Sequence, residues 1–295
     1  MTRLQRHDLR NGLVFVSPWL AGLIIFTLYP ILASIYYSLT DYSIVESPFW
    51  VGLDNYRTLL SDDLFWISLK NTLFMICFGL PLGLAASLAV ALLLNTKVKA
   101  MSIHRTIFYL PSVLPDVASA ILWLWILNPR YGPINTLLQK FGIAGPGWLV
   151  DPKWAKPALL LAGLWGVGGG MIMYLAGLQD VPEQLYEAAE LDGARGWHKF
   201  WYVTLPMISP IIFFNLVMGL IGWFSYFTSA FIMTGGGPAF STLFYALYLY
   251  QNAFVYFKMG YASAQAWVLF GIILAATLVV FKTSVRWVYY AGELK

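Results

Sequence analysis

Carboxylates crowd into one short stretch of this sequence and are the first candidates for chemistry. The 295 residues include only 14 acidic ones, yet the stretch EAAELDG at 187–193 holds Glu187, Glu190 and Asp192 between two apolar blocks. Carboxylates grouped in this way can form a solvated amphipathic surface, or they can dock on a partner. The sequence around them must distinguish these two roles.

The other residues that could carry chemistry form no catalytic or metal-binding pattern. The histidines lie far apart, without HExxH or Cys/His spacing. Glycine clusters at 166–170 and 235–237 lack the lysine of a nucleotide-binding P-loop and do not follow a strand. Cys77 is the single cysteine, which excludes an internal disulfide. We therefore expect no catalytic residue, no metal, no cofactor and no ATP hydrolysis by this chain. The histidines are His7, His104 and His198.

The composition indicates a chain that folds in lipid. Hydrophobic residues make up 59% and charged residues only 11%, whereas soluble domains carry about 25% charged residues. The excess of four positive charges is spread over several loops, which is typical of membrane proteins rather than of a nucleic-acid surface. The first apolar run is too long for the core of a signal peptide and is expected to be a retained helix.

Charge-poor runs predict an all-α integral membrane protein with six transmembrane helices, because roughly 20 apolar residues cross about 30 Å of hydrocarbon. A seventh span is the alternative over 239–257, after a break at Gly235-Gly236-Gly237-Pro238. Its many tyrosines, with Gln251 and Asn252, favour an interfacial segment instead. The six spans are predicted at about 13–38, 71–94, 106–127, 157–178, 206–232 and 261–283, with terminal segments at 1–12 and 286–295.

The distribution of Lys and Arg predicts the orientation. Short cytoplasmic loops are enriched in basic residues. With the N-terminus inside, eleven of the 18 basic residues lie in predicted cytoplasmic segments, and six spans return the C-terminus to the cytoplasm. The acidic stretch is then cytoplasmic. These basic residues are Arg3, Arg6, Arg10, Lys97, Lys99, Arg105, Arg195, Lys199, Lys282, Arg286 and Lys295.

A short helix at about 182–192 is predicted around the acidic stretch. Pro182 suits the first turn of a helix, and Glu183 complements the positive end of its dipole. Gly193 ends the helix, and a second short segment at 197–203 leads to Leu205-Pro206. Glu183, Glu187 and Glu190 share one face by their spacing.

The stretch EAAELDGARGWHKFWYVTLPMISP at 187–210 resembles the EAA motif of permease subunits of binding-protein-dependent ABC importers. Val203 stands where isoleucine is commoner in that motif. In that family the motif forms the coupling helix, which docks on a separate ATPase subunit, and here the coupling loop would be 180–205. The coupling residues that the resemblance implies are Glu187, Ala188, Ala189, Asp192, Gly193, Ala194, Leu205 and Pro206.

Further motifs are similar to the carbohydrate branch of the family, the maltose-type permeases. They are VGLDNY at 51–56, Phe-Tyr-Leu-Pro at 108–111 with Pro115, Asn128-Pro129, and TGGGPAFST at 234–242. The resemblance implies the type I ABC importer permease fold in a prokaryotic plasma membrane. It also implies a second permease subunit, two ATP-binding subunits that hold ATP and magnesium, and an extracytoplasmic solute-binding protein.

Polar residues at membrane depth are costly unless they face a cavity, so they mark a candidate substrate path. Asp116 is the one ionisable residue well inside a predicted span; it could accept hydrogen bonds from sugar hydroxyls or be a helix-end carboxylate near an interface. The candidate glycines could instead serve helix packing, and the aromatic residues could serve packing or contact lipid. The substrate residues implied by the family alignment are Ser112, Asp116, Trp165, Gly166, Gly169, Trp223, Ser225 and Tyr226.

A neutral sugar or oligosaccharide is the predicted substrate, because aromatic rings stack on sugars while hydroxyls need polar partners, and no Lys or Arg lies well inside a predicted span. A glycerol-phosphate-type importer is the alternative within the family. A secondary transporter or channel that works without ATP is the alternative from another class, with Asp116 as its ion-coupling carboxylate. A structural membrane scaffold would leave Asp116 and the acidic stretch without a role.

Overall fold

The computed structural model describes residues 2–96 and 98–290, except the side chains of 3–6. The chain is mainly helical, which confirms the predicted all-α fold. Lys97, Lys295 and the end of the predicted C-terminal segment lie outside the described residues. The α-helices are α1 (Arg3–Leu23), α2 (Tyr29–Ser38), α3 (Asp54–Ser61), α4 (Asp63–Leu94), α5 (Met101–Val113), α6 (Asp116–Ile126), α7 (Pro133–Lys140), α8 (Pro152–Leu164), α9 (Gly168–Gln179), α10 (Glu183–Leu191), α11 (Gly196–Lys199), α12 (Leu205–Met207), α13 (Ser209–Phe224), α14 (Thr228–Met233), α15 (Tyr245–Tyr250) and α16 (Met259–Ser284).

The chain divides into two compact units, of which the first holds residues 1–62 and 249–270. A π-helical turn at Ile24–Leu28 joins α1 to α2, and β1 (Thr40–Asp41) pairs antiparallel with β2 (Phe49–Trp50). Two side chains of the VGLDNY stretch hydrogen-bond the start of α3 to Ser38 at the end of α2. The Asn55 amide donates to the Ser38 carbonyl at 3.0 Å, and the Tyr56 hydroxyl donates to Ser38 Oγ at 2.9 Å.

The second unit holds residues 63–248 and 271–295 and is centred on α4. Helix α4 packs against α8, α9 and α13, while α5 packs against α9 and α6 against α14. Glycines permit some of these close approaches: a Cβ added to Gly168 of α9 would lie 2.6 Å from the Phe108 carbonyl of α5. One buried cluster joins α4, α9 and the start of α13. Its members are Ala91, Leu94, Met171, Tyr174, Leu175, Leu178, Val181 and Ile208.

Helices long and apolar enough to cross a bilayer overlap every predicted span. Four pass this test alone: His7–Ser38, Asp63–Leu94, Ser209–Met233 and Met259–Ser284. Two further spans pass as bent pairs, α5 with α6 and α8 with α9, so the described residues contain four to six candidate spans. The second span begins as a helix at Asp63, well before the predicted start at 71.

The third and fourth spans differ from the prediction because each is broken. Helices α5 and α6 meet at 98°, and α8 and α9 meet at 47°. Pro115 explains the sharper bend, since proline lacks an N–H and disfavours helical geometry in the residue before it. Leu114 accordingly has an extended ψ of 137°. At the milder bend the Ser87 hydroxyl donates to the Val167 carbonyl at 3.1 Å.

The segment 239–257 contains no helix long enough to cross a bilayer. Helix α15 has six residues, and the π-helical turn that follows at Gln251–Val255 has five; together they extend about 16 Å. Within the second unit, polar groups of α4 hold the start of this segment. The buried Asn71 amide donates to the Phe240 and Leu243 carbonyls at 2.8 and 3.0 Å, and the Tyr245 N–H donates to Thr72 Oγ1 at 2.9 Å.

Candidate functional site

A cavity of about 340 Å³ lies within the second unit, among α5, α6, α8, α13 and α14. It is bordered where α5 ends and α6 begins, along the last turns of α8, and from the end of α13 into α14. Its lining residues are Pro111, Ser112, Leu114, Asp116, Ser119, Ala120, Ala162, Gly163, Gly166, Gly222, Ser225, Tyr226, Phe227, Thr228, Ser229 and Met233.

Three interrupted helices all break at this cavity. The breaks are at Leu114-Pro115 between α5 and α6, at 165–167 between α8 and α9, and at 225–227 between α13 and α14. A helix end leaves main-chain N–H and C=O groups without their usual partners. Such groups are tolerated at membrane depth only beside protein or a cavity, so the breaks and the cavity belong together physically.

The polar groups of the cavity are hydroxyls and a carboxylate. Five aliphatic hydroxyls and one phenol accompany Asp116, and none of the lining residues is Lys, Arg or His. Hydroxyls both donate and accept hydrogen bonds, whereas a carboxylate only accepts. The lining therefore suits a neutral molecule rich in hydroxyl groups and offers no counter-ion to an anion. The hydroxyl-bearing residues are Ser112, Ser119, Ser225, Tyr226, Thr228 and Ser229.

Asp116 is the acidic residue of this lining. It occupies the first position of α6, directly after Pro115, where the helix dipole favours a negative charge. Asp116 is exposed rather than buried, and it lines the cavity. Across the described residues 2–96 and 98–290, Asp116 forms no ion pair. Its carboxylate is therefore available to a ligand.

Five of the eight residues predicted to bind substrate line the cavity. They are Ser112, Asp116, Gly166, Ser225 and Tyr226. The added Cβ of a residue at Gly166 would meet its nearest atom, the Gly163 carbonyl oxygen, at 3.6 Å. The structure thus brings residues from three predicted spans to one place, and their contact with substrate stays a prediction.

The structure places the other three predicted residues outside the lining. The Trp165 ring packs edge-on against Trp123, with ring centroids 5.9 Å apart. The Trp223 ring covers Gly79 of α4, where an added Cβ would lie 2.7 Å from it. Gly169 has no atom within 4 Å of an added Cβ. Both tryptophan rings therefore pack against other residues of the second unit, and their contact with substrate stays a prediction.

Several lining residues were not identified from the sequence. Ser119 lies three residues after Asp116 on α6, so helical periodicity could have placed it on the same face. Thr228 and Ser229 follow Tyr226 across the break between α13 and α14. Their polarity within an apolar run was a usable signal, because polar residues in a span tend to face a cavity.

The acidic stretch forms α10, Glu183–Leu191, which confirms the predicted short helix. Its end has the two bonds of a Schellman motif: the Gly193 N–H donates to the Glu190 carbonyl at 2.9 Å, and the Ala194 N–H donates to the Ala189 carbonyl at 2.8 Å. Gly193 has φ +80°, a left-handed conformation that glycine adopts without the Cβ clash of other residues.

The predicted coupling residues divide into an exposed group and an anchored group. Four of these residues are exposed, and the other four are partly buried. The neighbouring Leu191 is 90% exposed. The exposed group is Glu187, Ala188, Asp192 and Gly193, and the partly buried group is Ala189, Ala194, Leu205 and Pro206.

Metal-binding geometry is missing from the part of the chain that the structure describes. No group of three or more His, Cys, Asp or Glu side chains in it could hold a metal ion. Cys77 is free and exposed on α4. The chemistry that the described cavity residues offer is hydrogen bonding.

Comparison with known proteins gives one consistent result. Residues 79–292 match the family described as the inner membrane component of binding-protein-dependent transport systems. A probable ABC transporter permease of Bacillus subtilis strain 168, YesP, is 44% identical over 99% of this chain and 96% of its own length. The lactose transport system permease LacF of Rhizobium radiobacter is 36% identical over 93% of each chain.

A solved structure extends the similarity to the fold. A chain of a bacterial ABC transporter that imports the acidic polysaccharide alginate superposes with a TM-score of 0.83 and 26% identity, over 97% of this chain and 99% of that one. The type I importer permease fold predicted from the EAA motif is confirmed by this match. The family match covers most of the chain, including the cavity, α10 and every bent span. The chain therefore belongs to the family of inner membrane components of binding-protein-dependent transport systems.

Proposed function

We propose that this chain is the permease subunit of an ATP-driven importer for a neutral sugar or oligosaccharide. The observation that carries the proposal is the cavity at the helix breaks, with its six hydroxyl-bearing residues, one carboxylate and no basic lining residue. Sugar hydroxyls need donors and acceptors together, and this lining supplies both. LacF, named for lactose transport, supports a sugar as the substrate class.

Charge distinguishes the neutral sugar from acidic alternatives. The similar alginate importer carries an acidic polysaccharide, and glycerol phosphate is likewise an anion. An anion entering the cavity of this chain would lose water and meet the Asp116 carboxylate, without a lysine or arginine among the lining residues. Like charges in a poorly solvated site repel, so this half of the pathway disfavours both anions.

The acidic helix α10 is proposed to receive the force that drives transport. Two separate ATP-binding subunits hold ATP and magnesium, and one of them docks on the exposed residues of α10. A second permease of the family completes the pathway, and an extracytoplasmic binding protein delivers the sugar, as the family description supports. Closure of the ATPases then moves α10 and reorients the cavity, because a coupled change needs different contacts in the two states.

Reconstitution of the importer into proteoliposomes tests the proposal. The two permeases, the ATPases and the binding protein are assembled, and uptake of radiolabelled neutral oligosaccharide, uronate oligosaccharide and glycerol phosphate is measured. Uptake of the neutral sugar that requires both ATP and the binding protein is expected. Uptake by the permeases alone would refute the ATP-driven mechanism, and preferred uptake of either anion would refute the neutral substrate.

Orientation is tested by cysteine labelling. The proposal puts α10 and both termini in the cytoplasm and the α7 end outside. In a Cys77→Ser background, Glu187→Cys should react with a membrane-impermeant maleimide only from the cytoplasmic face. Lys140→Cys, which is also exposed, should react only from the outer face. The reverse pattern would place the acidic helix away from the ATPases and overturn the proposal.

A further inference from the structure

A partly buried hydrogen bond joins α10 to the π-helical turn at Phe200–Thr204, which leads through α12 into α13. The Tyr186 hydroxyl lies 3.0 Å from Thr204 Oγ1, across 18 residues of chain. Thr204 is buried and directly precedes Leu205, the first residue of α12. The Thr204 hydroxyl also donates to the Lys199 carbonyl at 3.3 Å. A hydroxyl has one hydrogen, so the Tyr186 phenol is the donor to Thr204.

The ring of Tyr186 reinforces this link by packing. Tyr186 is half-buried against the cluster that joins α4, α9 and the start of α13, and Val203 and Met207 pack on the same cluster. The hydrogen bond is therefore shielded from water on the side of the core. Bonds inside protein are electrostatically stronger than those exposed to water, so this contact can hold α10 in one orientation.

A second link joins the other end of α10 to α11, but it is solvated. Lys199 Nζ lies 2.6 Å from Glu190 Oε1, and the Glu190 side chain is 61% exposed. Exposed ion pairs of this kind contribute little. The partly buried link at Tyr186 is therefore the stronger of these two side-chain connections between α10 and the segment that follows it.

The main-chain route from α10 to α13 contains a turn with two glycines. It passes through Gly193 and Gly196, which lie on either side of an extended Arg195. Neither glycine has an atom within 4 Å of an added Cβ, so packing does not stiffen this turn. A displacement of α10 transmitted only along this route would be partly absorbed by the turn, because glycine has the most conformational freedom of any residue.

We infer that Tyr186 is a positioning residue that transmits the movement of α10 to α13 through Thr204, bypassing the glycine turn. Helix α13 ends at the cavity, where Ser225 and Tyr226 line it. A displacement of α10 toward or away from the membrane core therefore reaches the cavity through a side-chain bond as well as through the chain. This inference rests on the proposed function and assigns the transmission step to one contact.

The test uses the complete importer in proteoliposomes, with ATP hydrolysis and sugar uptake measured in the same sample. Tyr186→Phe keeps the ring and removes the hydroxyl, and Thr204→Val keeps the shape and removes the acceptor. Each is expected to lower the sugar transported per ATP by about 2- to 10-fold, the scale of one hydrogen bond. The double variant should be no worse than the single variants, because both remove the same interaction.

Two controls separate transmission from a general loss of structure. Thr204→Ser retains the hydroxyl and should keep the ratio of the unaltered importer. Tyr202→Phe is a matched change at a residue that is 79% exposed and should also keep it. An unchanged ratio in Tyr186→Phe, an equal fall in Tyr202→Phe, or additive losses in the double variant would overturn the inference.

The failure of this inference can be distinguished from failure of the proposed function. An unaltered importer without ATP-dependent uptake would refute the proposed function itself. An unaltered importer that couples normally, with Tyr186→Phe equal to it, would overturn only the role of Tyr186. Weaker binding of the ATPase subunits to Tyr186→Phe would assign the tyrosine to docking and would also overturn transmission.

Discussion

Substitution of Gly193 tests whether docking of the ATPase requires the observed geometry at the end of α10. Gly193→Ala adds a Cβ at φ +80°, where an L-residue costs about 1–2 kcal/mol. No atom beyond the adjacent residues lies within 4 Å of that Cβ, so the cost comes from the local left-handed backbone and not from packing against other parts of the protein. The substitution should therefore loosen the Schellman bonds of Gly193 and Ala194 while leaving membrane insertion intact.

The free-energy cost of alanine at position 193 limits how much the substitution can weaken docking of the ATPase. If the ATPase recognises α10 with its end intact, about 1–2 kcal/mol weakens docking by at most about 5- to 30-fold. The assay is a binding titration of labelled ATPase subunit against the permease pair in nanodiscs, followed by uptake measurements. Gly196→Ala is the matched control, because Gly196 also has free space around its Cβ position and begins α11 without a positive φ. Equal affinities for the two variants would refute this reasoning.

Three further predictions follow from packing and hydrogen bonding. Gly168→Ala puts a Cβ 2.6 Å from the backbone of α5 and should lower the free energy of unfolding by about 1–3 kcal/mol, measured as a lower melting temperature in detergent. Gly169→Ala is the control, because no atom lies within 4 Å of its added Cβ, and it should leave the melting temperature unchanged. Equal melting temperatures for the two variants would contradict the packing. Asp116→Asn should slow sugar uptake about 10-fold, from roughly 1.5 kcal/mol of lost charge-assisted hydrogen bonding, with ATPase docking unchanged; unchanged uptake would remove Asp116 from the substrate path. Asn71→Ala removes the donor of the buried Leu243 carbonyl and of the partly buried Phe240 carbonyl. At about 1–3 kcal/mol for the buried one, it should speed proteolysis at 240–245, and an unchanged cleavage rate would show that the side chain does not hold this segment.

Local signals in the sequence predicted the acidic helix well. Pro182 and Glu183 marked its start and Gly193 its end, and the helix observed is Glu183–Leu191. These signals depend only on backbone geometry within a few residues. Asp116 was singled out for a physical reason, since a polar group at membrane depth is costly without a cavity, whereas Ser225 came from the family alignment.

The direction of large side chains could not be predicted in the same way. Trp165 and Trp223 occur beside polar residues and near helix breaks, as cavity residues do, yet their rings pack against Trp123 and over Gly79. Those neighbours come from other helices, far away in sequence. The role of Asn71 was missed for the same reason, because its carbonyl partners at Phe240 and Leu243 are about 170 residues away.

The three helix breaks around the cavity carry a consequence for how tightly any cargo is held. Main-chain groups released at the breaks cannot be left dry, so we expect ordered water to occupy the empty passage. A sugar that enters exchanges those waters for its own hydroxyls, and such an exchange yields little net free energy per hydrogen bond. Such a cavity can select its substrate by hydrogen bonding and still release it quickly, as a transport pathway requires and a storage site does not.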